Sequence, residues 1–136
     1  MNAEGLIDAF FAEHRRIEVN LAVCEQLLAD VNALHTRLLH LRPMLLEHLH
    51  AKDAFYVALV NGCAEAGDLP STNVAKMYEE NMRVQSSAVR RFFAALDTQS
   101  SPLLAQSFKT MALIIRGRLA QEERAVFPLY LKHPKV

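Results

Sequence analysis

Apolar residues recur every three or four positions along almost the whole chain, and there is no sustained apolar/polar alternation. This spacing marks amphipathic helices, because a 3.6-residue turn brings every third or fourth side chain to one face. Four helical segments follow. The first is predicted from about Ala3 to Ala29, with Leu6, Phe10, Ile17, Leu21, Cys24 and Leu28 on its apolar stripe and His14 among them. The second runs from about Asn32 or Thr36 to Asn61. There Leu38, Leu41, Leu45, Phe55 and Leu59 share a face with His48 and Lys52, and Pro43 predicts a kink or a restart because its ring removes a backbone donor.

Between Gly62 and Thr72 the stretch GCAEAGDLPST reads as a linker. Gly67, Asp68 and Pro70 break helix there, and Ser71 or Thr72 is expected to cap the next one. The third helix is predicted from about Asn73 to Leu96, with Val74, Met77, Ala88, Phe92 and Ala95 facing inward and the polar pair Asn81 and Gln85 in the same row. Ser101 followed by Pro102 signals a fresh start, a capping hydroxyl before a proline at the first helical position. The fourth helix then extends to about Tyr130. Its inward row of Leu104, Phe108, Met111, Ile115, Val126 and Leu129 is interrupted by Arg118 and Glu122.

Four long amphipathic helices with short connections bury their stripes most simply as an all-α, up-down-up-down four-helix bundle. A chain of 136 residues suits a single domain, residues 1–136, around one core. At 51% hydrophobic residues it is too apolar to stay disordered. Lys plus Arg and Asp plus Glu each number 15, so no net charge draws the chain to nucleic acid or anionic lipid. Glu4, Asp8 and Glu13 spoil any N-terminal secretory signal, and no apolar run is long enough to cross a bilayer, which predicts a cytoplasmic protein.

The remaining residue types narrow the chemistry. Cys24 and Cys63 lie far apart without a C-x-x-C spacing and read as buried thiols. Met77, Met82 and Met111 read as core filler, and the pairs Arg15-Arg16 and Arg90-Arg91 as solvated faces. His35, His40 and His133 are expected at the surface, and His50 faces away from His48. There is no nucleophile elbow, no glycine-rich phosphate loop and no pair of inward carboxylates, so a non-enzymatic protein is expected.

One layer stands apart. About midway along each helix the inward rows offer His14, then His48 and Lys52, then Asn81 and Gln85, then Arg118 and Glu122. Buried polar groups need partners, since an unpaired buried charge costs several kcal/mol. The four-residue spacing of His48 with Lys52, and of Arg118 with Glu122, puts each pair on one helix face as two metal ligands would be.

EHRRIE around His14, LLEHLHAKD around His48 and RLAQEERAVFPL around Glu122 resemble the motifs of the hemerythrin-like HHE cation-binding family. That resemblance implies a bundle holding two non-haem irons with histidines and carboxylates, and binding or sensing dioxygen or iron. It matches His14 and His48 to histidine ligands and Glu122 to a carboxylate position. Lys52, however, falls where a carboxylate belongs, Arg118 falls where the final motif begins with histidine, and the third helix has no histidine.

Ammonium and guanidinium groups donate hydrogen bonds and have no lone pair for a metal. The first expectation is therefore a metal-free polar core in which Lys52 and Arg118 supply the positive charge, Glu122 is their counter-ion, and His14 or His48 is hydrogen-bonded nearby. A second is a reduced, mononuclear non-haem iron site from His14, His48, Glu122 and one of Glu18, Asp53, Glu79 or Glu80. A third is that the layer is an accident of helical phasing. LLEHLHAKDAFY, the R-x-x-x-E-E from Arg118 and the terminal KHP also resemble, more weakly, the regulator-of-sigma-D family, which implies a sigma-factor-binding transcription regulator. The leading expectation is a cofactor-free regulatory or interaction module that meets a protein partner through a helix face and the 62–72 loop. The alternative is a cation-binding domain responsive to dioxygen or iron.

Overall fold

The computed structural model describes residues 2–135, the side chain of Ser101 excepted. Its helices are α1 (Ala3–Glu25), α2 (Val31–Glu65), α3 (Leu69–Ala94), α4 (Ser101–Gln121) and α5 (Phe127–Lys132), with a π-helical segment, Glu122–Val126, joining the last two. Each long helix packs on its neighbour in sequence and α1 also packs on α4, which closes a four-helix bundle. Three helix starts follow one rule. A short polar side chain accepts from an otherwise orphaned backbone N–H: Asn2 from Gly5 at 2.7 Å, Asp30 from Ala33 at 3.2 Å and Asp68 from Ser71 at 3.1 Å. At the fourth start Ser100 holds the cap position and Pro102 sits in the first turn, while the hydroxyl expected to cap from Ser101 lies outside the described residues.

Several boundaries differ from the sequence expectation. α1 stops at Glu25 rather than Ala29. α2 does not restart at Pro43, which is exposed, so the carbonyl its missing N–H leaves free can be hydrated. The connection after α2 is not an eleven-residue loop over 62–72 but three residues, 66–68, with Gly67 in the left-handed region at φ 71°. Burial of Gly62 and Cys63 draws the helix onward past its glycine, and Asp68, not Ser71 or Thr72, is the cap.

α3 is also turned relative to its expected phase. Ser71, Ala75, Met82, Ser86, Val89 and Phe93 face inward with Phe92, whereas Val74, Met77 and Asn81 are exposed and Ala88 and Ala95 are half-buried. Small residues, Ala75 and Ser86 among them, allow close packing on that face, and the buried Ser86 hydroxyl is satisfied by donating to the Met82 sulfur at 3.2 Å.

The C-terminus is folded back over the corner between α2 and α3. Asp68 accepts from both His133 Nε2 at 2.9 Å and Lys132 Nζ at 3.0 Å, the Tyr130 hydroxyl donates to the Lys135 carbonyl, and Lys135 pairs with Glu65. These contacts, the His133 bond first, hold the Asp68 carboxyl well below the usual carboxylate range. Gly62 makes the closure possible, because a Cβ there would collide with the His133 carbonyl oxygen. Gly62→Ala is accordingly expected to lower stability by about 1–3 kcal/mol and to detach the tail. Faster proteolysis after residue 130 in the variant, alongside its denaturation curve, checks this.

Packing does not form one core, as chain length suggested, but two. One cluster is built on Ile17, Leu21, Leu38, Leu45, Phe108 and Leu119. The other gathers Ile7, Phe10, Phe55, Tyr56, Phe127 and Tyr130. Cys24 belongs to the first and Cys63 to the second, both as free thiols. Burial pushes the Cys24 thiol up to about 11 and raises Cys63 as well, which keeps both protonated and unreactive. Between the clusters lies a slab of buried polar side chains.

Candidate metal centre

The slab is placed by helical spacing. On α1, His14 stands between Phe10 of one cluster and Ile17 of the other; on α2, Lys52 stands between Leu49 and Phe55; beyond α4, Glu122 stands between Leu119 and Val126. His14, His48, Lys52, Arg118 and Glu122 are all buried, and Lys52 and Glu122 are wholly inaccessible to solvent. Gln85 of α3 is half-buried at its edge and accepts from Arg118 at 3.0 Å, whereas Asn81, expected beside it, points to solvent.

The Lys52 ammonium is the hub. Its Nζ lies 3.1 Å from His14 Nε2, 3.3 Å from His48 Nε2 and 2.5 Å from Glu122 Oε1. Three N–H donors thus meet three acceptors, which satisfies the ammonium completely. The Phe10 and Phe127 rings, with centroids 4.5 and 5.2 Å away, present their electron-rich faces to the same charge. Glu122 is equally occupied. Its Oε2 accepts from the Tyr56 hydroxyl at 2.8 Å and from Arg118 at 3.0 Å, and its Oε1 also lies 3.2 Å from His14 Nε2.

A second ring of carboxylates orients the imidazoles. His14 Nδ1 lies 2.7 Å from Glu123 and His48 Nδ1 lies 2.7 Å from Glu13. An Nδ1 proton directed at each carboxylate leaves Nε2 with its lone pair pointing at Lys52. Consecutive residues Glu122 and Glu123 can both engage the site because the chain is π-helical over Glu122–Val126, a local widening of the kind found at functional sites.

Electrostatics agree with this geometry. Burial lowers the His48 pKa from 6.5 to about 4, aided by the Lys52 charge and opposed by Glu13, so the ring is neutral at pH 7. Lys52 is lowered from its ordinary value by burial, and Glu122 counters that effect. Burial would raise Glu122, but the Lys52 ammonium and the Arg118 guanidinium beside it outweigh that and hold the carboxyl well below the usual range. Tyr56 is pushed far up by burial and by Glu122, so it keeps the proton it donates.

The model of the hemerythrin HHE cation-binding domain matches residues 5–130. The chain belongs to this family. No curated protein and no solved structure shows significant similarity to it. As a hemerythrin-like domain it would be asked to hold an iron pair, and the residues present do not fit one. Among the described residues one group of metal-ligating side chains converges, His14, His48 and Glu122, with donor atoms within 4.8 Å of one another, and the Lys52 ammonium sits among them. Two irons carry about four positive charges and need more donors than three.

The acids expected to complete a smaller site lie elsewhere. Glu18 pairs with Arg116 at 3.2 Å, Asp53 with Arg90 at 3.4 Å, and Glu79 and Glu80 both with Arg83 at 3.4 Å. His35 pairs with Asp97, and His40 and His50 are exposed. Glu13, Tyr56 and Glu123 belong to the network without having been placed in its inward layer by sequence. Tyr56 carried a signal, since it continues the four-residue series of His48 and Lys52, and Glu13 gave none. Glu123, like Asp53, follows an inward residue by one and reads from sequence as a helix-flank acid that could support the site from outside; of the two it is Glu123 that meets an imidazole.

Proposed function

We propose that this hemerythrin-like domain works without iron, as a non-enzymatic regulatory or protein-interaction module of the cytoplasm. The observation that carries the reading is the Lys52 Nζ among His14 Nε2, His48 Nε2 and Glu122 Oε1: a fixed charge on the chain stands where an inorganic cation would be bound. A domain whose core charges are satisfied by its own side chains needs no metal to fold. Function then rests on its surface. The outer face of α3 presents Met77 and Val84 two turns apart with Leu69 and Val74 near them, all exposed, and this face supports binding to a protein partner better than the three-residue corner at 66–68. None of the described helices is long and apolar enough to cross a membrane.

A second reading is favoured by the convergence of His14, His48 and Glu122: a reduced site that binds a cation and responds to dioxygen or iron. It requires the Lys52 side chain to leave the centre. Metal analysis of the chain purified from iron-supplemented cells separates the two. The expected result is no stoichiometric metal and no near-ultraviolet absorption of oxo-bridged iron. Stoichiometric iron overturns the metal-free reading. Affinity capture from the native cell then addresses the partner, and recovery of the primary sigma factor would identify the class to which the weaker resemblance points.

A further inference from the structure

We infer that the recess between α1 and α2 lined by Glu13, Arg16, Glu47 and His48 binds a free α-amino acid with an apolar side chain. The inference goes beyond the metal-free reading above and needs no protein partner. Ile17 and Met44 supply the apolar part of the lining, and the recess encloses about 230 Å³. Drug-sized ligands occupy about 300–1,000 Å³, so a smaller metabolite suits it.

Helical spacing sorts the lining by chemistry. Arg16 and Glu47 are exposed at the mouth, Ile17 and His48 are buried at the floor, and Met44 is half-buried between them. Among the described residues neither Arg16 nor Glu47 is ion-paired, so a positive and a negative group face one opening without neutralising each other. An amino acid carries the complementary pair. Its carboxylate can accept two parallel N–H bonds from the planar guanidinium, and its ammonium has three donors for Glu47 and Glu13. Glu13 meets His48 Nδ1 through Oε1, at 2.7 Å, which leaves Oε2 for the ammonium. With both charged ends at the mouth, the side chain is directed onto Ile17 and Met44, where an apolar group gains by leaving water. An acid or an amine alone leaves one of the two charges unanswered, and an amino acid with its charges at opposite ends leaves the floor unfilled. Glu13 also ties the recess to the centre, because His48 Nε2 lies 3.3 Å from Lys52 Nζ. An ammonium drawing on that carboxylate acts on the buried network through the imidazole.

The test is titration of the whole chain with L-leucine, followed by calorimetry and by the ring resonances of His48. The expected result is saturable binding of one leucine per chain with a shift of the His48 ring. Isoamylamine, isocaproate and ε-aminocaproate should each bind at least about 10-fold more weakly, the loss that goes with one charged hydrogen-bonding group. Arg16→Ala and Glu47→Ala alter exposed side chains outside the apolar clusters, so both should fold, and each should weaken leucine binding by about 10-fold. In Arg16→Ala the preference for leucine over isoamylamine should vanish. No saturable binding up to about 10 mM, as when Arg16 and Glu47 swing together and close the mouth, overturns the inference. Equal affinity for leucine and isoamylamine, unchanged leucine affinity in both variants, or binding that leaves the His48 ring unmoved overturns it too. Metal analysis tests the reading above and this titration does not, so the two can fail separately.

Discussion

Replacing Glu122 by alanine is expected to lower folding stability by about 3–5 kcal/mol, the range for removing one partner of a buried ion pair. Among the described residues the Glu122 carboxylate alone touches both Lys52, at 2.5 Å, and Arg118, at 3.0 Å. Without it, two cations share a water-poor layer between apolar clusters, and Tyr56 loses its acceptor at 2.8 Å. Urea denaturation of the two proteins at pH 7 measures the difference. A second step identifies its origin: if the loss comes from stranded charge, adding Lys52→Met to Glu122→Ala should restore part of the stability, because it removes one of the cations. A loss below about 1 kcal/mol, as for an exposed pair, would show that water reaches the layer.

Acid is the second lever, and His48 sets its direction. The folded chain keeps this ring neutral down to about pH 4, chiefly through burial and then through the Lys52 charge. The unfolded chain takes up a proton near pH 6.5. Between those values the unfolded state binds more protons, so stability falls as the pH falls from 6.5 toward 4 and is unaffected by this group above 6.5. The full interval corresponds to about 3 kcal/mol. Denaturant midpoints from pH 7.5 to 4.5 should show the decline, and His48→Gln should show a shallower one, since glutamine does not titrate. Equal slopes in the two proteins would place the acid sensitivity in other groups.

Legibility in the sequence varied by element. Large apolar residues at helical spacing located α1, α2 and α4, because burying them is the dominant stabilising term and only one face can be buried. In α3 the same reasoning misled. Val74 and Met77 are exposed while Ser71, Ala75 and Ser86 face the core, so side-chain size pointed about one residue away from the packed face. The connection at 62–72 misled for a related reason. Gly62 looks like a helix breaker but is kept in α2 by burial against the C-terminal tail, a contact with His133 that spacing along the chain does not reveal.

Taken alone, the sequence determined a four-helix bundle and, in His14, His48, Lys52, Gln85, Arg118 and Glu122, most of the polar residues of its middle layer, because helical periodicity and the conflict between charge and an apolar face are both local properties; the hemerythrin-like character was legible only through resemblance of its motifs. Only the tertiary structure decided where the Lys52 ammonium ends. A long flexible side chain on an inward face can reach water or stay inside, and the choice depends on acceptors brought from elsewhere: His14, 38 residues away, and Glu122, 70 residues away. Those acceptors, with the rings of Phe10 and Phe127, compensate the charge inside, and for that reason the ammonium stays in the centre.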